Sequence, residues 1–76
     1  MIRPEQMRMA RAGLGWTLSH LAAKAGVNPN TISRYEAGRD VMAGTLRKVA
    51  DALQEAGVRI IDNAEGRGVL LTRKEP

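Results

Sequence analysis

Gly15, Gly26, Gly38 and Gly57 divide the first 57 residues into short stretches, each with apolar residues at helical intervals. That punctuation confines the chain to a few short helices joined by tight turns. Met7, Ala10 and Leu14 recur at helical spacing after Pro4, a residue suited to the first helical position, and predict a helix over Pro4–Ala12 that ends at Gly13 and Gly15. Thr17 is a good N-cap for a second helix over Leu18–Ala25, with Leu21, Ala22 and Ala25 on one face. Asn28 and Pro29 open a third over Pro29–Ala37, whose Ile32 and Tyr35 point inward. Leu46, Val49, Ala50 and Leu53 form the i, i+3, i+4, i+7 stripe of a fourth over Ala43–Ala56. Arg3 is a poor N-cap, so the start of the first helix is expected to fray.

After Gly57 the period changes. Val58 and Ile60, then Val69 and Leu71, alternate on either side of a loop containing Asn63, Gly66 and Gly68, the pattern of a β-hairpin. A lone two-stranded hairpin is marginal in water, so it must pack on the helices or pair with another chain. Residues 1–57 are therefore read as the helical domain and 58–76 as a hairpin and tail that serve dimerisation. The tail from Arg73 to Pro76 is expected to fray.

A chain of 76 residues holds one small core, and a domain of that size commonly leans on a partner. Twelve Lys and Arg against eight Asp and Glu give a net charge of +4, which favours an anionic partner, nucleic acid first. The absence of cysteine excludes a disulfide scaffold and fits a reducing cytoplasm. No apolar run approaches the ~20 residues of a membrane span, and no apolar leader follows Met1. His20 is the only histidine, and the carboxylates are scattered, so neither a nucleophile–base pair nor a metal site is expected. An enzyme is not expected, and no cofactor is implied.

The most informative stretch is Leu18–Ala37, where Ala22, Gly26 and Ile32 stand four and six residues apart. Two helices that cross closely need a small residue at the crossing, a turn residue free to adopt positive φ and a packed aliphatic on the second helix. A Gly-linked helix pair in any small bundle would share part of this pattern. The simultaneous fit of Leu21, Ala25, Val27 and Tyr35 to inward positions favours the helix-turn-helix.

With these residues in place, the chain resembles the Cro/lambda-repressor-like helix-turn-helix family, the XRE family of transcriptional regulators. The likeness extends over Leu14-Gly-Trp-Thr17, Thr31-Ile-Ser-Arg-Tyr-Glu-Ala-Gly38 and Thr45-Leu-Arg-Lys-Val-Ala-Asp-Ala-Leu53, about residues 4–57. It implies a mainly α fold, a small four- to five-helix lambda-repressor-like domain, here with a C-terminal β-hairpin extension. It further implies that the third helix enters the major groove, with Asn28, Asn30, Thr31 and Arg34 reading bases. Those residue types suit the task, since Arg can pair with guanine, Asn with adenine and a Thr methyl with thymine. Asn28 serves equally well as a pure N-cap.

By the same resemblance Thr17, Ser19, Ser33 and Arg39 hold phosphates, and Arg11 pairs with Glu36 in a structural contact that also orients Arg11 toward a phosphate. Ala22, Gly26, Ile32 and Glu36 maintain the helix-turn-helix. Trp16 is read as a packing residue. Two positions depart from the family: Leu18 stands where many relatives carry a Gln that touches the backbone, and Pro29 replaces a position often polar. Either fewer side chains read the operator, with shape readout carrying more, or the surface has turned toward protein. The expected function is a homodimeric, cytoplasmic regulator, a repressor first, that binds an inverted repeat in double-stranded DNA and sits on the nucleoid when bound. The alternative is an antiactivator or antitoxin that occludes a protein partner; RNA polymerase, a toxin or an activator are the partners considered.

Overall fold

The computed structural model describes residues 1–73. Its elements are α1 (Pro4–Leu14), α2 (Leu18–Ala25), α3 (Pro29–Glu36), α4 (Ala43–Glu55), β1 (Val58–Asn63) and β2 (Gly66–Leu71). The helices number four among the described residues, the lower end of the expected range. Of the expected frayed tail, Lys74, Glu75 and Pro76 lie outside the described residues.

Two expectations about α1 are corrected. The helix runs through Gly13 to Leu14 instead of stopping at Ala12, and the αL residue that ends it is Gly15, at φ 70°. Nor is its start left open at Arg3. The Gln6 Oε1 accepts the Arg3 amide at 2.8 Å, so a side chain one turn inside the helix takes the place of an N-cap.

One core joins the four helices and β1, with Val69 of β2 partly buried against it. Ile2 precedes the helices; α1 contributes Met7 and Ala10, α2 Leu21 and Ala22, and α3 Ile32. The other buried members are Leu46, Val49 and Leu53 of α4 and Val58 of β1. Helix α2 packs on both α3 and α4, while α1 packs on α3 and along β2. The Tyr35 hydroxyl donates to the Ile2 carbonyl at 2.7 Å and so holds the chain's start against α3.

The hairpin is antiparallel, with Val58 opposite Leu71, Ile60 opposite Val69 and Asn63 opposite Gly66. Opposed residues share a face, so Val58, Ile60, Val69 and Leu71 form the face turned to the helices. It is seated on α1 by three contacts. Gln6, fully buried, donates from Nε2 to the Ile61 carbonyl at 2.8 Å and to that of Gly68 at 3.3 Å. Gly13 leaves room for Leu71, whose Cδ1 would stand 2.8 Å from any Cβ added there. Arg67 meets Glu5 of α1 at 3.1 Å and Asp62 of β1 at 3.2 Å. Among the described residues no helix is long and apolar enough to cross a membrane.

Candidate nucleic-acid interface

Asn28, Asn30, Thr31, Ser33 and Arg34 lie on or at the start of α3. All are exposed except Thr31, which is half-buried. The Asn28 Oδ1 accepts the Asn30 amide at 2.8 Å, so the side chain acts as the N-cap and only its amide N–H groups remain to meet a ligand. Pro29 occupies the first helical turn with no amide to satisfy. The inward residue Ile32 is 1% exposed, which fixes the rotation of the helix and turns Asn30, Ser33 and Arg34 outward.

Thr17 caps α2 by accepting the His20 amide on its Oγ1 at 3.0 Å, with Ser19 exposed in the same turn. Neither α2 nor α3 has an acidic residue in its first turn. Both N-termini therefore present free backbone N–H groups and the positive end of a helix dipole without an opposing carboxylate. Arg39 stands just past α3, and among the described residues neither it nor Arg34 is in an ion pair.

The turn between α2 and α3 has the form its residues predict. Gly26 adopts φ 71°, and the Val27 amide closes on the Ala22 carbonyl at 3.0 Å. Ala22 is 2% exposed at the helix crossing, where a larger side chain would force the two helices apart.

Arg11 and Glu36 set the pose of α3 relative to α1. The Arg11 Nε and Nη2 donate to the two Glu36 oxygens at 2.9 and 2.8 Å, and Nη1 donates to the Trp16 carbonyl at 3.2 Å. The bond to Glu36 raises the Arg11 pKa, against the opposing effect of its burial. Arg8 adds a bond to the Glu36 carbonyl. With three of its five donors spent inside the protein, Arg11 holds the helices together and has two N–H left for a phosphate.

Several residues of this region escaped the sequence reading. Gln6 had a signal, since a Gln three residues after the N-cap is the capping-box position. Arg8 had none, because an exposed-looking cation on α1 gives no hint of a carbonyl partner on α3. Trp16 is half-buried, as its packing role required, yet it also stacks on His20, with ring centroids 4.6 Å apart and planes 8° from parallel. Leu18 is half-buried against the core, so that position is a packing one here. Among the described residues no three of His, Cys, Asp or Glu gather to hold a metal.

Comparison with known proteins agrees with this geometry. No curated protein matches the chain. The sequence model of the helix-turn-helix family matches residues 7–58, which takes in all four helices from Met7 to the first residue of β1. The arrangement of α2, its glycine turn and an outward-facing α3 is the one that family uses to bind DNA, and the chain belongs to it as an XRE-type, Cro/lambda-repressor-like DNA-binding regulator.

Proposed function

We propose that the protein is a homodimeric transcriptional repressor that recognises an inverted repeat in double-stranded DNA, with one α3 in each of two successive major grooves. Asn30, Thr31 and Arg34 read base edges, and Asn28 assists through its free amide. Thr17, Ser19, Ser33 and Arg39 hold the flanking phosphates, and Arg11 adds a donor. The observation that carries this reading is the pairing of two acid-free helix N-termini with a polar outer face of α3 whose pose is fixed by Arg11 and Glu36. Half-sites then lie about one helical turn, ~34 Å, apart.

The hairpin is the proposed dimer element. Its Ile60, Leu70 and Leu71 are 38, 43 and 42% exposed, and the outer edges of β1 and β2 make no backbone hydrogen bond among the described residues. Open edges beside exposed aliphatics invite a further strand. Replacing Leu70, which sits on the face away from α1, by Lys is expected to yield a folded monomer in sedimentation, with an unchanged helical spectrum. A dimer that survives this change assigns the interface elsewhere.

The test of the whole reading is selection of bound duplexes from a random pool at about 150 mM salt, where non-specific phosphate binding is suppressed. An enriched palindrome is the expected result. A folded protein that enriches nothing overturns the operator reading and turns the search to a protein partner.

A further inference from the structure

The loop between α3 and α4 contains a residue that is poorly chosen for its place in the helix. Met42 is the N-cap of α4, with its carbonyl accepting the amides of Thr45 at 3.0 Å and Leu46 at 3.1 Å, but its side chain makes no cap hydrogen bond and is 79% exposed. Ser, Thr, Asp or Asn would satisfy an open N–H there, and a polar side chain would be better solvated. A position that breaks two local rules at once, and that lies outside the core cluster of the described residues, is where a functional demand is expected.

Its surroundings say what that demand is. Met42 lines a cleft of about 230 Å³ with Thr31, Arg34, Asp40, Val41 and Thr45. Two of these are base readers in the reading above, so the cleft borders the base-reading edge of α3. Val41 packs against the core, and the two amides that donate to the Met42 carbonyl fix the Met42 backbone, so the thioether is presented from a rigid support. Asp40 is in no ion pair among the described residues, and its carboxylate repels phosphate, which directs the cleft toward base edges instead of the sugar-phosphate backbone. On a major-groove edge the one apolar group is the thymine C5-methyl.

We propose that Met42 contacts the methyl group of a thymine beside the base pair met by Arg34, and so acts as an apolar specificity residue. The assignment rests on the operator reading given above. It enlarges the reading surface in a chain where Leu18 and Pro29 have removed two polar positions.

The experiment replaces each thymine of the selected operator in turn by deoxyuridine, which deletes the methyl and leaves base pairing intact. The full chain is expected to lose about fourfold in affinity per half-site at one position, the partition of one buried methyl group. Met42→Ala should lose nothing further at that position. Met42→Ser restores a capping hydroxyl, so its Tm should hold or rise while its methyl discrimination disappears; a merely structural Met42 would lower the Tm instead. Indifference of the full chain to every methyl, or the same methyl-dependent loss in Met42→Ala, overturns the proposal and leaves the operator reading standing. Recovery of no operator at all overturns both.

Discussion

Glu36 is where three parts of the chain are tied: its carboxylate takes two bonds from Arg11 of α1, and Arg11 in turn holds the carbonyl of Trp16 ahead of α2. The side chain is 8% exposed against 24% for Arg11, so removing the acid strands a partly buried guanidinium. Breaking such a pair from one side costs more than the pair contributes, and Glu36→Ala is expected to lose about 2–3 kcal/mol. For a domain of this size that lowers the Tm by roughly 10–20 °C in a thermal melt. Arg11→Lys keeps the charge but not the two-pronged geometry, so most of the loss should persist. Tyr35 offers a check in pH. Burial pushes its phenol above its ordinary value, so the folded state holds the proton more tightly than the unfolded chain. The associated stability is complete below the unfolded value and is lost as pH rises through the folded one. Tyr35→Phe, which gives up the bond to Ile2, should cost about 1 kcal/mol at neutral pH. In urea titrations it should lack the wild type's added decline above about pH 10. At this scale the sequence was most legible where a local rule ties residue to place: Thr17 and Asn28 make the cap bonds their side chains predict. Gln6 and Arg8 were hidden because their partners lie in other elements.

Among the elements, the hairpin and α1 form the least expected joint. Gly13 is helical, so replacing it by Ala contributes about 1 kcal/mol of helix propensity. The new Cβ would stand 2.8 Å from the Leu71 Cδ1, but that atom is the far end of a flexible side chain. The two effects nearly cancel, and Gly13→Ala should leave the Tm within a few degrees of the original. Gly13→Leu cannot be absorbed by one rotamer change and should cost about 1–3 kcal/mol by overpacking. The loss should be local, with amide exchange over residues 58–71 accelerated more than that of α2 and α3. The Glu5–Arg67 bridge belongs to the same joint. Hydrogen bonding from its backbone amide, the largest cause, and from Arg67 keeps the Glu5 carboxyl below its usual range. Its contribution is therefore present above that range and is lost as pH falls through the folded value. All four helices were legible from periodicity and stop signals, and errors fell only at their ends. The hairpin's existence was legible as well, but its seat was not: a glycine within α1 read as a stop signal, and its other use, as a space for Leu71, exists only once the strands have folded back over it.

For the whole molecule, the +4 charge gave the class of partner but not the surface that meets it, because that surface depends on which cations the fold spends internally. Arg11 and Arg67 are spent on carboxylates, whereas Arg34 and Arg39 are in no ion pair among the described residues. Arg34 and Arg39 are assigned different tasks, and the tasks separate in salt. Each phosphate neutralised contributes about −0.9 to the slope of log affinity against log salt. Arg39→Ala should therefore weaken binding to every sequence and reduce that slope by about 1 per protomer, hence about 2 for a dimer on a full palindrome. Arg34→Ala should change the slope less and instead flatten preference at one base pair in each half-site, where about 1–3 kcal/mol of discrimination is lost. Measuring the Arg39 effect on a half-site duplex and on the full operator gives the stoichiometry in the same experiment. A change of about 1 on both would mean that a single protomer binds, and the inverted-repeat reading would then give way to recognition of one half-site.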